Sequence, residues 1–269
     1  MTQWTVAGTH ILRPATPGVR DPLESACFVL APFSNAIEGG GFRFAGTFFA
    51  QRRNHPLEPS PIHGDAWLAA WQVERCTPDL ATLSYEHTAR YGFPFRYRVV
   101  QQVVLSPTRL DIRLQLKNLD RSAMPAGLGL HPYFLRRAGA RLSAPHHGRW
   151  TSNGPVADRQ FCRAEPIGHP LDTCFTGWSK TARLSWPRRR MHIVISASSS
   201  AYALVVYSPK LSNFVCIEPV TNVNDGFNAA TRRVGRTGVR VLAPGQDLQL
   251  KVVMSVHVPA VRRRRGTRP

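Results

Sequence analysis

The chain has 269 residues, of which 43% are hydrophobic and 19% are charged. This composition supplies a full apolar core and excludes wholesale disorder, and the length suits one large all-β domain or two ordinary domains. No apolar run approaches the roughly 20 residues of a membrane span. The first residues also lack the basic and apolar regions of a signal peptide. We therefore expect a protein without a membrane partner.

Positive charge is in large excess, because 35 Lys and Arg oppose 16 Asp and Glu and give a formal net charge of +19. Such a balance suggests nucleic acids, anionic membranes or phosphorylated substrates as partners. The arginines are spread along the chain, however, and only residues 262–265 form a dense run. Since no nucleic-acid-binding motif accompanies the charge, nucleic acid is not the expected primary partner.

Five cysteines are present, an odd number, and no two are spaced as Cys-x-x-Cys. This pattern argues against a disulfide framework and against a cysteine-based zinc site. It is typical of a reducing compartment, so we expect a cytoplasmic protein.

The amino-terminal part of the chain consists of short segments between prolines and glycines. Residues 34–37, Ser-Asn-Ala-Ile, precede a run of three glycines, and residues 42–49 are interpreted as one strand. Arg52 and Arg53 follow this strand, and a proline-rich loop then leads to His63. A histidine at the end of such a loop is usually a surface polar residue, but loops held by a scaffold also carry binding sites.

From residue 72 onward, apolar and polar residues alternate strongly, most clearly over residues 93–99, 110–117 and 248–258. A period of two predicts strands with one buried face, and no long segment has the period of a helix. Many strands, with 22 prolines in the chain to punctuate loops, predict a large antiparallel β-sandwich. Without repeats or a flexible linker, we expect one domain over residues 1–258 and a basic, disordered tail over residues 259–269.

The segment Gly-Leu-Gly-Leu-His-Pro-Tyr-Phe, residues 127–134, holds a histidine on a stiff support. Pro132 fixes its own φ and biases His131 towards an extended conformation. Tyr133 and Phe134 can anchor the segment to a core. A proton-active group is one interpretation of His131, and a buried histidine with one satisfied hydrogen bond is the other.

Two carboxylates lie in similar strand-like settings. Glu218 ends an apolar run that begins at residue 214, and Asp172 lies in Leu-Asp-Thr-Cys-Phe. A salt bridge to an arginine would also explain Glu218, and a turn cap would also explain Asp172.

Taken together, the Gly-x-His-Pro-Tyr-Phe motif around His131, Glu218, His63 and Asp172 resemble the aldose 1-epimerase (galactose mutarotase-like) family, especially its bacterial branch. The resemblance runs from about residue 21 to about residue 258. It implies a large antiparallel sandwich with a sugar cleft on one concave face. It also implies an isomerase that needs neither metal nor cofactor and whose partner is a small-molecule sugar or sugar phosphate.

Interconversion of sugar anomers requires two proton transfers, one from the anomeric hydroxyl and one to the ring oxygen as the C1–O5 bond opens. The resemblance implies that Glu218 is the base and His131 the acid, facing each other with room for a sugar ring between them. His63, Asp172, Asn35 and Arg52 are then the expected substrate-binding residues.

One position departs from the family. An arginine usually follows the Asn of a Ser-Asn-Arg-Ile motif and grips sugar hydroxyls, and Ala36 stands there in this chain. Either that donor is lost or Arg52 or Arg53 reaches into the cleft. Two functions therefore remain open: an aldose or hexose-6-phosphate 1-epimerase, and a non-catalytic carbohydrate-binding protein on the same fold. A phosphorylated sugar would suit the excess of arginine.

The chain also starts late relative to the family resemblance. This predicts that the first strands are missing and that an apolar sheet edge near residues 1–30 is exposed. Unpaired sheet edges are sites of association, so a homo-oligomer formed through this edge and a poorly packed amino-terminal stretch are expected.

Overall fold

The computed structural model describes residues 1–89, 93–168 and 170–258. These residues form strands almost throughout, with one α-helix and three short 3₁₀ helices. The strands are β1 (Thr5–Val6), β2 (Thr9–His10), β3 (Cys27–Leu30), β4 (Gly41–Phe44), β5 (Thr47–Ala50), β6 (Gln72–Cys76), β7 (Leu80–Thr88), β8 (Arg96–Ser106), β9 (Arg109–Asn118), β10 (Met124–Ala126), β11 (Gly129–Leu135), β12 (Arg141–Ser143), β13 (Gly148–Thr151), β14 (Gly154–Ala157), β15 (Glu165–Pro166), β16 (Leu171–Thr176), β17 (Thr181–Trp186), β18 (Met191–Ala197), β19 (Ala203–Ser208), β20 (Phe214–Val220), β21 (Arg240–Leu242) and β22 (Asp247–His257). The helices are α1 (Gly226–Arg232) and the 3₁₀ turns Pro22–Glu24, Ala66–Leu68 and Pro187–Arg189.

Two large antiparallel sheets form the body of the protein. The seven-stranded sheet has the order β14-β13-β16-β19-β20-β11-β3, and the nine-stranded sheet has the order β15-β12-β17-β18-β22-β9-β8-β7-β6. Three two-stranded sheets, β1-β2, β4-β5 and β10-β21, complete the described part of the chain. The expected antiparallel β-sandwich is confirmed.

The alternating sequences account for the core between the sheets. In the nine-stranded sheet, Leu114 of β9 pairs with Leu250 of β22, and Ile112 pairs with Val252. All four side chains are buried, while the residues between them are exposed or half-buried. The period of two therefore marked the buried face of these strands correctly.

The seven-stranded sheet is apolar on both faces, and this feature creates the site. Leu130 and Phe134 of β11 join the large core, whereas Tyr133 joins a second apolar cluster on the opposite face. In β20, Val215 and Ile217 point to the large core, and Cys216 belongs to the second cluster. Successive side chains of a strand point to opposite faces. The second cluster is therefore the floor of a separate surface cleft.

Two local predictions were wrong. Residues 42–49 are a hairpin of β4 and β5 rather than one strand, because Ala45 and Gly46 both have positive φ and turn the chain. The short helix α1 was not expected, since its seven residues are too few to show a helical period.

The prediction of a poorly packed amino-terminal stretch was also wrong. Trp4, Val6, Ile11 and Leu12 are all buried in the large core. All four residues of β3, the edge strand of the seven-stranded sheet, are buried as well, so the expected exposed apolar edge near residues 1–30 is not seen there. These side chains supply the packing that the sequence pattern did not reveal.

The expected basic tail, residues 259–269, lies outside the described residues. Within the described ranges, no helix combines the length and apolar character needed to cross a membrane.

Candidate active site

Strand register aligns the proposed catalytic residues in one row across the seven-stranded sheet. Pairing of β3 with β11 sets Phe28 opposite His131, and pairing of β19 with β20 sets Val205 opposite Glu218. Between them, β11 and β20 pair Gly129 with Val220 and Tyr133 with Cys216. This register places His131 directly opposite Glu218.

His131 and Glu218 are in direct contact, since His131 Nε2 lies 3.4 Å from Glu218 Oε1. The two residues are 5% and 2% exposed. The prediction that a sugar ring fits between them was therefore wrong. Such a contact is compatible with the expected chemistry, because the anomeric oxygen and the ring oxygen of a sugar are bonded to the same carbon.

Burial shifts the pKa values of His131 and Glu218 in the directions that favour the uncharged form of each residue. It lowers the pKa of His131 well below its ordinary 6.5, with a further contribution from His63. It raises the pKa of Glu218 well above its ordinary 4.5, with a further contribution from Asp172. The pair is thus poised to hold one proton in total, carried by either residue.

His63 is fixed beside this pair by the backbone of Asn35. The Asn35 N–H donates to His63 Nδ1 over 3.1 Å, and the His63 N–H donates to the Asn35 carbonyl over 3.0 Å. Because Nδ1 accepts a hydrogen bond, the proton of the neutral ring is on Nε2. Burial lowers the pKa of His63 from 6.5 to about 3, which keeps the ring neutral. Its ring lies edge-on to His131, with centroids 5.4 Å apart.

Aromatic rings hold His131 in place. The imidazole stacks between Phe28, at a centroid distance of 4.6 Å, and Tyr133, at 4.7 Å. The guanidinium of Arg13 lies 3.9 Å from the centre of the Tyr133 ring and also donates to the carbonyls of Leu23 and Ser25. These contacts restrict the imidazole to one plane, as a proton donor to a bound substrate requires.

The cleft over this row has a volume of about 500 Å³, which is within the usual range for a small-molecule site. Four of the side chains lining it have a buried polar atom without a partner in the described part of the chain. They are His131 Nδ1, Glu218 Oε2, Asn35 Nδ2 and Asn224 Oδ1. Unsatisfied buried polar groups are costly and are concentrated where a ligand or water completes them.

Asp172 lines the same cleft from β16. Register pairs it with Tyr207 of β19, next to the row that contains Glu218. The residue as a whole is exposed, but the cleft wall desolvates its carboxyl group and raises its pKa above the ordinary value. The predicted substrate-binding residues His63, Asn35 and Asp172 are thus brought together with His131 and Glu218.

The structure does not bring Arg52 into this cleft. Arg52 and Arg53 line a neighbouring cavity with Asp65 and Tyr85 instead. The chain after β5 is directed there because Asn54 donates to the carbonyls of Ile62 and Gly64 and accepts from the Ile62 N–H. Neither arginine therefore replaces the family arginine at Ala36, which does line the cleft.

Sequence reasoning missed several cleft residues. Tyr207 lies two residues after Val205 in β19, so the alternation of a strand places both side chains on the same face. Glu38, Glu58 and Asn224 also line the cleft. They come from loops, where no periodicity indicates which way a side chain points.

Among the described residues, one group could ligate a metal ion: atoms of His131, Cys216 and Glu218 lie within 4.8 Å of one another. A thiol must lose its proton to bind a metal. Burial raises the pKa of Cys216 well above its ordinary 9.0, and the neighbouring Glu218 raises it further. The arrangement therefore disfavours the thiolate that a metal centre would need.

The family model described as aldose 1-epimerase matches residues 1–255.

The chain belongs to the aldose 1-epimerase family.

The chain is similar to two relatives and to one solved structure. The chain is 28% identical to the uncharacterized protein YphB of Escherichia coli K12 over 267 residues, covering 92% of this chain and 89% of YphB. It is 31% identical to the uncharacterized protein YihR of the same organism over 252 residues, covering 85% and 80%. The crystal structure of a putative aldose 1-epimerase from E. coli K12 superposes with a TM-score of 0.83 at 26% identity, covering 93% and 90%. This member of the aldose 1-epimerase family thus shares both sequence and fold with its relatives over most of its length.

Proposed function

We propose that this protein is a cofactor-independent aldose 1-epimerase that interconverts the α and β anomers of a hexose. The observation that carries the proposal is the buried contact between His131 and Glu218 on the floor of a sugar-sized cleft. Family membership supports an isomerase of this kind. His63, Asn35 and Asp172 are proposed to bind sugar hydroxyls, because each lines the cleft.

In the proposed reaction, Glu218 removes the proton from the anomeric hydroxyl and His131 gives a proton to the ring oxygen. The O–H electron pair forms the C1=O1 double bond, and the C1–O5 pair moves to O5, which His131 protonates. Rotation about the C1–C2 bond presents the other face of the aldehyde, and ring closure reverses both transfers. The neutral Nε2–H of His63 is placed to donate to an oxygen of the same sugar.

The proton count of the pair determines its pH dependence. One proton shared between His131 and Glu218 is required, because the reaction needs one donor and one acceptor. Burial lowers the pKa of His131 and raises that of Glu218, so both shifts weaken the ordinary preference of this proton for the imidazole. When Glu218 carries the proton, the roles are exchanged, with His131 accepting from O1 and Glu218 donating to O5. Activity should therefore fall both when the pair gains a second proton and when it loses its only one.

A non-catalytic carbohydrate-binding protein is the second candidate function. It is favoured by one observation: Ala36 lines the cleft where the family has an arginine, and Arg52 and Arg53 line a different cavity. A pure binding protein would hold sugars without accelerating their anomerisation.

Anomer exchange followed by NMR on a panel of aldoses distinguishes the two functions. His131→Ala and Glu218→Gln should each lower turnover by about a hundredfold or more, since one positioned proton-transfer group is typically worth ~10²–10⁴ in rate. Both variants must remain folded by circular dichroism. Wild-type rates in both folded variants would refute the assignment, and sugar binding without anomerisation by the wild type would favour the binding protein.

Finer features of the proposal come from the sequence. The Gly-x-His-Pro-Tyr-Phe segment, residues 129–134, supports assignment to the bacterial branch of the family. The odd number of cysteines supports a cytoplasmic location. Residues 1–258 are proposed to act as one domain, since the two sheets share a single large core. A homo-oligomer remains a prediction.

A further inference from the structure

The charge of the cleft is opposite in sign to the charge of the chain. The whole protein has a formal net charge of +19. Four carboxylic side chains nevertheless line the cleft, Glu38, Glu58, Asp172 and Glu218, and none of its described lining residues is a lysine or an arginine. The two imidazoles of the cleft, His63 and His131, are held neutral because burial lowers the pKa of each.

The acidic groups act on one region of the cleft. Burial raises the pKa of Tyr207 above its ordinary 10.0, Cys216 and Asp172 raise it further, and Glu58 and Glu218 add to the effect when they are ionised. All three carboxyl groups are therefore close enough to affect one phenol. Arg13, the cation that stacks on Tyr133, donates to two backbone carbonyls and does not line the cleft, although its positive charge helps to lower the pKa of His131.

Independent evidence for a ligand in this region comes from the innermost carboxyl group. Glu218 is 2% exposed, lines the cleft, and its Oε2 has no hydrogen-bond partner among the described residues. Glu38 and Glu58 also make no side-chain hydrogen bond that would neutralise them within the described ranges. The cleft thus presents acceptors that a cationic donor would satisfy and that an anion would meet as like charges.

We infer that this site selects sugars by charge, favouring amino sugars that carry an ammonium group over neutral aldoses and rejecting sugar phosphates. The inference rests on the proposed function and names its substrate class. An ammonium group donates up to three charge-assisted hydrogen bonds, which are stronger than those of the hydroxyl it replaces. A phosphate, in contrast, would lie among carboxylates without a guanidinium to pair with it.

The test compares sugars that differ only in charge. D-glucosamine is measured at a pH at which its amine is protonated, beside D-glucose, neutral N-acetyl-D-glucosamine and D-glucose 6-phosphate, and the galactose counterparts are measured in parallel. Above the uncatalysed rates, kcat/KM for the ammonium sugar should exceed that for the neutral aldose by about tenfold, and the phosphate should be about tenfold worse. Added salt should reduce the ammonium preference.

Substitutions that change the charge of the cleft test whether its carboxylates cause the preference for the ammonium sugar. Glu58→Gln and Glu38→Gln should each lower the ratio of ammonium to neutral kcat/KM by about threefold, because a charge that is exposed or half-buried contributes modestly. Ala36→Arg, which introduces a guanidinium into the cleft, should lower the same ratio and improve use of the phosphate. Glu165→Gln, on β15 at the far edge of the other sheet, is the matched control and should leave the ratio unchanged.

The outcomes separate this inference from the proposed function. If no sugar is anomerised, the proposed function fails, and binding of the corresponding methyl glycosides, which cannot open, still tests charge selection. If neutral aldoses are anomerised but the ammonium sugar is no better, or the phosphate is preferred, charge selection is overturned while the epimerase stands. A preference that survives unchanged in both glutamate variants would also overturn it.

Discussion

Gly64 is the residue whose substitution should most clearly disturb the site without touching a catalytic group. It follows His63 directly, and both residues have left-handed backbone conformations, with φ of +69° and +61°. A Cβ atom at Gly64 would overlap the carbonyl of Ala31 and the ring of Pro32. Gly64→Ala therefore imposes two separate costs, the left-handed conformation and a collision with the backbone.

These costs can be estimated separately. A non-glycine residue in the left-handed region costs about 1 kcal/mol or slightly more, and overpacking of a fixed structure costs about 1–3 kcal/mol. Gly64→Ala should therefore lower the free energy of unfolding by about 2–4 kcal/mol. Gly139→Ala is the matched control, because Gly139 has φ of +76° and a Cβ atom added there would have no heavy atom within 4 Å. It should cost only the first component, about 1 kcal/mol.

Urea unfolding and anomer exchange together test this reasoning. The loop must shift to relieve the overlap, and His63 moves with it because it directly precedes Gly64. This movement disturbs the hydrogen bond of 3.1 Å that the Asn35 N–H donates to the His63 ring. A displacement of about 1 Å can cost up to 10²-fold in rate, so kcat/KM in Gly64→Ala should fall by about tenfold or more while Gly139→Ala retains activity. Equal stability and equal activity in the two variants would refute the argument.

Two further predictions concern groups around this loop. Burial sets the pKa of His63 at about 3 instead of 6.5, so the unfolded chain binds this proton more readily and His63 lowers the stability as the pH falls from about 6.5 towards 3. His63→Gln should therefore flatten the dependence of unfolding free energy on pH in that window, and an unchanged slope in urea unfolding would contradict this. Asp65 accepts hydrogen bonds from Tyr85, Tyr97 and His87. Asp65→Asn should lower the free energy of unfolding by about 1–3 kcal/mol, because hydrogen bonds to the charged carboxylate are lost or weakened; equal melting temperatures would show that the network contributes nothing.

The sequence was sufficient to predict the sandwich and the orientation of its strands. Alternation in residues 110–117 and 248–258 identified the faces that are buried in β9 and β22. The pattern of a strand shows its own buried face but not its partner. The contact between His131 and Glu218 depends on the pairing of β11 with β20, far apart in the chain. Periodicity alone could not predict it, and only the resemblance to a family brought the two residues together.

Loop residues could not be predicted for a different reason. Arg52, expected in the cleft, lies in a neighbouring cavity because the side chain of Asn54 fixes the loop to Ile62 and Gly64. Glu58, not expected, lines the cleft. Such orientations are set by individual hydrogen bonds between segments, and no local pattern in the sequence encodes them.

The burial of the catalytic pair suits the reversibility of the proposed reaction. Anomerisation connects two sugars of similar stability, so the same site must remove and return protons at both oxygens. If water surrounded His131 and Glu218, each would keep its ordinary pKa and the proton would have a fixed preference for the imidazole. Burial lowers the pKa of His131 and raises that of Glu218, and both shifts reduce that preference. A proton that either residue can carry allows ring opening and ring closure to begin from the same protonation state of the pair.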